Sequence, residues 1–287
     1  MCSTYNFTIV KNTYVRIIFT RIIIQLMSII LRYLNALKDN RSLIMAFAIG
    51  DLKNRYRSSI LGFFWSILEP LLLLAVIYVV FTAVLKPGIP NFAIYLLLGL
   101  IFWNFVGKST TMSANSISGK GRLLSNVYFP RAIPAISSTI TALIMLCFEF
   151  AIFAFFFVVY GLVPSTTIIF LPYYVFLIFI ICLGLSLPLS VLNVLYKDVQ
   201  FIWNIVLSAG FFLHPIIYNI GMMDRHMQDK LLLIPTVRLL DMIQGSTLYG
   251  KIPSTYDLAY VTIASFVILL VGYGFYRLFE SKMVEEL

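Results

Sequence analysis

Six long apolar runs constrain this chain more than any other feature of its sequence. Each run has about the 20 largely apolar residues that a helix needs to cross the hydrocarbon core of a bilayer. With 61% apolar and 11% charged residues, the chain also has too little polar surface for a soluble domain. The runs predict an all-α integral membrane protein with six transmembrane helices, at about residues 63–85, 92–114, 132–160, 168–196, 201–220 and 258–279.

The basic residues predict the orientation of these spans. Sixteen of the 21 Lys and Arg residues precede the first span or lie in segments on that same side, and basic residues near span ends favour the cytoplasm. Both termini of this multi-pass protein are therefore expected in the cytoplasm. Topology alone accounts for most of the net charge of +9, so no nucleic acid partner is expected.

Residues 1–40 form an N-terminal extension whose structure the sequence leaves open. The apolar part carries Arg16 and Arg21 and lacks a cleavage site of small residues, so a removed signal peptide is not expected. An interfacial helix is one interpretation. The other is that translation begins at Met27.

Residues 43–59 have the pattern of an amphipathic helix. Apolar residues recur at three- and four-residue spacing, and polar residues occupy the opposite side. Such a helix lies in the membrane surface. Asp51 and Arg55 stand one turn apart, in the order that favours an ion pair.

A short element over residues 122–129 is isolated between Gly121 and Pro130. Its apolar residues, Leu123, Leu124 and Tyr128 among them, would share one face of a helical turn. An apolar face on a short cytoplasmic element must fold back on the membrane or dock on a partner. The residues by themselves leave both alternatives open.

Two carboxylates fall within the apolar runs. Carboxylates at membrane depth usually face an interior cavity or a partner. Glu149 is expected to make a helix–helix hydrogen bond or to contact substrate. Glu69 is expected to reach the membrane surface or to pair with Arg57 or Lys108.

Neither a catalytic site nor a metal site is predicted. Gly107, Lys108, Ser109 and Thr110 resemble the end of a P-loop, but Phe102 stands where that motif has its first glycine. The chain contains no HExxH or GxSxG motif and no cluster of Cys and His. We therefore expect no cofactor to bind this chain.

Four segments resemble signature segments of the permease subunits of ABC-2-type polysaccharide exporters, which move O-antigen, capsular polysaccharide or teichoic acid. These segments are DLKNRYRSSILG from Asp51, LLSNVYFPR from Leu123, YKDV from Tyr196 and FFLHPIIY from Phe211. The resemblance runs in order from about residue 43 to the C-terminus. It identifies residues 41–287 as a membrane-spanning domain of this family.

The resemblance implies several partners. A homodimer would form one channel in the inner membrane for a lipid-linked glycan, and two copies of a separate ATPase subunit would bind ATP and Mg. The element at 122–129 would be a coupling helix that enters the ATPase, with the helix at 43–59 as a second contact or hinge. The implied coupling residues are Leu123, Leu124, Tyr128, Phe129, Arg131, Asp51, Arg55 and Arg57.

The resemblance also implies that spans 1 and 5 border the channel. Pro215 is predicted to bend span 5 into an outer gate with His214 beside it, and two short gate helices are expected within residues 221–256. Glu149 is grouped with these gate or structural residues. The aromatic candidates for the channel wall are Trp65, Tyr78, Phe81, Trp203, Phe211, Phe212 and Tyr218.

Two other functions fit the composition. An ABC-2 exporter of a small lipid or drug would have a similar sequence pattern. An integral-membrane enzyme acting on polyprenyl glycans would need clustered acids at one membrane face, which Asp198 alone does not supply. The DLKNRYR segment favours a glycan exporter.

Overall fold

The computed structural model describes residues 38–57, 59–84, 88–120 and 129–285. Contacts within the chain divide it into two units. The first unit ends at Ala46, and the second begins at Phe47. The described part of the first unit is residues 38–46, and all other described residues belong to the second unit. In the described ranges the α-helices are α1 (Arg41–Tyr56), α2 (Trp65–Val84), α3 (Phe92–Ser116), α4 (Ile133–Val159), α5 (Leu171–Leu195), α6 (Val199–Leu213), α7 (Arg225–Leu231), α8 (Pro235–Tyr249) and α9 (Thr255–Glu285).

Five helices, α2 to α5 and α9, are long and apolar enough to cross a membrane. The predicted all-helical membrane fold is therefore confirmed. Helices α2 to α4 begin and end close to the predicted spans. A 3₁₀ turn, Thr166–Phe170, precedes α5, and α9 extends beyond the predicted 258–279 at both ends.

The predicted fifth span, 201–220, is wrong in its second part. Helix α6 has 15 residues, so it is about 22 Å long and shorter than a hydrocarbon core of about 30 Å. His214 is extended, at φ −85° and ψ 147°, because the ring of Pro215 disfavours the helical conformation of the residue before it. Pro215 therefore follows the end of the helix and does not bend it. The two short helices α7 and α8 come next and are bent by 108° relative to each other.

Helices α3 and α5 form the core of the second unit. Phe105 of α3 and Tyr174 of α5 are fully buried, and α4 packs against α3 while α9 packs against α5. Helix α6 is much less buried than α3 and α5, because Gly210 is its one buried residue. Helix α6 is thus left mostly exposed.

Helices α5 and α9 cross at two glycines. A Cβ atom on Gly272 would overlap the carbonyl of Gly184, and a Cβ atom on Gly184 would lie 2.8 Å from the backbone of Ile268. Small residues at such a crossing let two backbones approach closely, which is a main source of helix–helix attraction in lipid. The position of α9 therefore depends on these two glycines.

We expect Gly272→Ala to lower the thermal unfolding midpoint of the purified protein in detergent, since the added methyl forces the backbones apart at a cost of about 1–3 kcal/mol. Gly274→Ala is the matched control, because a Cβ atom there has no neighbour within 4 Å. Fluorescence-detected size-exclusion after a heat series measures both midpoints. Equal midpoints for the two variants would contradict the close crossing.

Candidate coupling junction and channel surface

An ion pair joins α1 to the end of α3. The Asp51 carboxylate lies 2.6 Å from Nζ of Lys120, and both side chains are less than one-fifth exposed. The hydroxyl of Ser138, on α4, lies 3.4 Å from the same carboxylate. A partly buried, charge-assisted contact of this kind fixes the rotation of α1 against two membrane helices.

An aromatic contact supports the same junction. The rings of Phe47 and Phe129 are 5.6 Å apart between centroids, and Nζ of Lys120 lies 4.9 Å from the centre of the Phe47 ring. Thr141 of α4 donates a hydrogen bond to the carbonyl of Ala48. Lys120 precedes the predicted coupling segment, 122–129, and Phe129 is its last residue, so α1 contacts the chain at both ends of that segment. We call Phe47, Asp51, Lys120 and Phe129 the junction.

The predicted coupling residues fall into three groups. Leu123, Leu124 and Tyr128 lie outside the described residues. Arg55 and Arg57 are exposed and Arg131 is half-buried. The remaining two, Asp51 and Phe129, are committed to contacts within this chain.

Those two residues correct the prediction. Phe129 is 7% exposed and packs against Phe47, so its ring is used within the chain and is not an outward contact surface. The expected ion pair between Asp51 and Arg55 is also wrong, because the carboxylate of Asp51 pairs with Lys120 instead.

A second ionic cluster joins α2, α3 and α4. Nζ of Lys108 lies 2.9 Å from a carboxylate oxygen of Glu69 and 2.9 Å from one of Glu149. The predicted pairing of Glu69 with Lys108 is confirmed. For Glu149, the observed contact is the helix–helix hydrogen bond from Lys108.

The two carboxylates of this cluster differ in their surroundings. The Glu149 side chain is 2% exposed and that of Glu69 is 53% exposed. The second carboxylate oxygen of Glu149 is buried and has no hydrogen-bond partner among the described residues. Lys108 is therefore the neutralising partner of a buried acid, and removing it would leave a charge in an apolar environment.

The segment that resembles the end of a P-loop lies inside α3. Thr110 donates to the carbonyl of Val106 and accepts from the indole of Trp203. Backbone amides within a helix are already bonded and cannot cradle a phosphate. These residues connect helices and do not form a phosphate-binding loop.

Side chains satisfy the irregular backbone that follows α6. The hydroxyl of Tyr95 lies within hydrogen-bond distance of the carbonyls of Pro215 and Tyr218, at 3.0 and 2.8 Å. Gln244 of α8 also donates to Pro215. The ring of His214 contacts the hydroxyl of Thr236. Non-helical backbone at membrane depth is tolerated where protein buries and pairs it in this way.

The aromatic candidates for the channel wall differ in how exposed they are. Trp65, Tyr78 and Phe212 are exposed. Phe81 and Phe211 pack against the core. Trp203 is half-buried, and its indole donates to Thr110. The last candidate, Tyr218, is half-buried and donates to the carbonyl of Leu213.

Sequence reasoning misses several residues of these sites. The sequence presents Lys120 only as a topological charge, and no pattern singles out Phe47. Tyr95 and Gln244 lie in segments where no local pattern distinguishes them. The one available signal is for Tyr95, since a tyrosine inside an apolar run needs a partner for its hydroxyl.

Comparisons with known proteins agree with these features. Residues 42–248 match the family described as "ABC-2 type transporter". The chain is 28% identical over 257 residues to the "O-antigen export system permease protein RfbA" of Myxococcus xanthus, which covers 89% of this chain and 98% of the relative. Its namesake from Klebsiella pneumoniae is 28% identical over 247 residues, or 85% and 95% of the two chains. The "Polysialic acid transport protein KpsM" of Escherichia coli is 22% identical over 248 residues, or 84% and 95%.

We expect Lys108→Met to destabilise the protein by about 3–5 kcal/mol, since it leaves the buried carboxylate of Glu149 without a partner. The double variant Lys108→Met, Glu149→Gln should recover much of that loss, because it removes both charges. Thermal unfolding in detergent measures both. Glu69→Gln is the control from the exposed side of the cluster and should have the smallest effect. A double variant no more stable than Lys108→Met alone would contradict this account.

Proposed function

The chain belongs to the ABC-2 type transporter family, and we propose that it is the membrane-spanning subunit of an exporter that moves a polysaccharide out of the cytoplasm. A separate ATPase subunit supplies the energy and binds ATP and Mg. The relatives named for O-antigen export and polysialic acid transport support a polysaccharide as the substrate. The proposed substrate is a lipid-linked glycan. The proposed location is the inner membrane, with both termini in the cytoplasm.

The observation that carries this proposal is the exposed face of α6. Phe201, Ile205, Ser208 and Phe212 fall on one side of that helix, and all four are exposed. On the other side, Trp203 and Gly210 contact α3 residues Thr110 and Trp103. A helix with one side packed and an apolar-aromatic side uncovered needs a further surface. In the proposed homodimer, this side of α6 faces the channel that the two copies enclose.

The chemistry of that face suits a polymer of sugars. The aromatic rings of Phe201 and Phe212 offer flat apolar surfaces, which sit well against the C–H faces of sugar rings. Asn204 and Ser208 are also exposed and place an amide and a hydroxyl beside them. Trp65 and Tyr78 of α2 are exposed too. Rings with few polar groups allow a chain to pass without fixing it at one sugar.

The junction supports the proposed coupling to an ATPase. Lys120 precedes the segment that the family resemblance assigns to ATPase binding, and Phe129 is the last residue of that segment. Both contact Phe47 of α1. A displacement of that segment would therefore be transmitted to α1 and to the attached ends of α3 and α4. The junction is the proposed lever between ATP hydrolysis and the channel.

Deletion and complementation test the function. Removing this gene from the native host should abolish the surface glycan and leave lipid-linked glycan in the cytoplasmic leaflet. Restoring the chain should restore the surface glycan. Affinity purification of the restored chain should also recover a nucleotide-binding subunit. Normal surface glycan in the deletion strain would overturn the proposal.

We expect Asp51→Lys to lower glycan export at least about fivefold, the lower end of typical coupling between sites, because like charges then face each other at the junction. The charge-swapped variant Asp51→Lys, Lys120→Asp should restore export by re-forming the pair. Export is measured as surface glycan per copy of membrane-inserted protein, together with ATPase activity of the purified complex.

The control for this prediction is Glu280→Lys, which breaks the pair between Arg277 and Glu280 on α9, neither of which belongs to the junction. It should leave export unchanged. Export that stays low in the charge-swapped variant, with normal membrane insertion, would contradict the coupling role of the ion pair.

A further inference from the structure

An open groove lies at the end of the bundle opposite the junction. It has a volume of about 540 Å³ and lies between the end of α2, the turn before α3 and Tyr160 at the end of α4. That volume falls within the range of about 300–1,000 Å³ that is typical of ligand clefts. Of its lining residues, only Tyr78 belongs also to the proposed channel wall.

Aromatic side chains form much of the groove. The ring of Tyr78 stacks on Phe92, with centroids 6.2 Å apart and an interplanar angle of 24°. Phe92 is 7% exposed, so this packing holds the Tyr78 ring in place. Tyr160 lines the groove as well and is 46% exposed. The groove therefore presents two accessible phenol rings.

Asn91 supplies a free amide. It is the one non-glycine residue with positive φ, at 52°, in the part of the chain that the structure describes. Its carbonyl accepts hydrogen bonds from Ile94 and Tyr95 at the start of α3. Its side chain makes no hydrogen bond to any described residue. Glycine would meet the backbone requirement with less strain, so the carboxamide is the feature that distinguishes asparagine here.

The charge of the groove limits its ligand. Besides Tyr78, Asn91, Phe92 and Tyr160, the described lining consists of Thr82, a glycine, an isoleucine and an alanine, so no acid or base is among the described residues that line the groove. An anionic headgroup or a phosphate would find no countercharge among these residues. The aromatic rings match the apolar faces of a neutral sugar, and the uncharged amide and hydroxyls match its hydroxyl groups.

We propose that this groove binds a neutral sugar residue of the exported glycan at the outer mouth of the channel. Helix α3 has 25 residues and spans about 37 Å. The groove lies at its N-terminal end, and Lys120 of the junction lies beyond its C-terminal end. If the junction faces the cytoplasm, the groove faces outward. This inference rests on the proposed function and adds a binding site to it.

Asn91→Gly tests the amide directly. It keeps the left-handed backbone and removes only the carboxamide, so a purely conformational role for Asn91 predicts no loss. We expect the variant to weaken glycan binding about five- to tenfold, the effect of losing one hydrogen bond. The probe is the host's own surface glycan, released from its lipid by mild acid. Saturation-transfer NMR on the permease–ATPase complex in nanodiscs measures the binding.

Tyr160→Ala removes one ring of the groove and should also weaken binding, whereas Tyr160→Phe should retain most of it. Phe155→Ala is the matched control, because it deletes an exposed ring of α4 that does not line the groove. It should bind glycan as the unmodified protein does. A phospholipid that co-purifies with the unmodified complex but not with Tyr160→Ala would identify a lipid as the occupant and overturn the proposal.

The same variants, returned to the deletion strain, separate this inference from the proposed function. Restoration of surface glycan by the unmodified chain supports the exporter whatever the groove does. Reduced export by Asn91→Gly and Tyr160→Ala, at normal protein levels, supports the groove. Unchanged binding and export in both variants would overturn the groove and leave the exporter standing.

Discussion

The bilayer core contains no water, and the structure depends on pairing charged side chains and irregular backbone with groups from within the chain. Lys108 shows this most clearly, since one ammonium bridges Glu69 and Glu149 from two other helices. Each of these charges alone would be costly at membrane depth. Together they connect α2, α3 and α4 through a contact that lipid cannot replace. The same demand explains why Tyr95 and Gln244 reach the irregular backbone at Pro215.

The helices differ in how deeply they are buried, and the proposed function depends on this difference. Helices α3 and α5 are enclosed, so the crossing at Gly184 and Gly272 and the ion pairs of α3 belong to a rigid core. Helix α6 has one packed side and one uncovered side. A surface that one chain leaves uncovered is suited to a channel built from two copies. The rigid core then connects that surface to the junction at one end and to the groove at the other.

Sequence reasoning predicts the spans well where the apolar pattern is continuous, and less well where one residue changes the local conformation. The break after α6 is the clearest case. Pro215 is evident in the sequence, but a bend and a helix end have the same sequence signal. The difference depends on whether partners exist for the freed carbonyls, and Tyr95 and Gln244 are distant in sequence. The pairing of Glu69 with Lys108 is predictable because both lie near one end of neighbouring spans.

The sequence by itself determined that this is a helical membrane protein, because runs of about 20 apolar residues have no other stable environment. It also marked the coupling segment and the buried acid, since charge, glycine and proline are rare enough in such a chain to be informative. Only the tertiary structure decided which partners these residues have. Asp51 pairs with Lys120 and not with Arg55, and Asn91 and Tyr160 line one groove. The physical reason is that helix packing brings together residues far apart in the chain, and a periodic pattern gives a helix its faces without stating what each face meets.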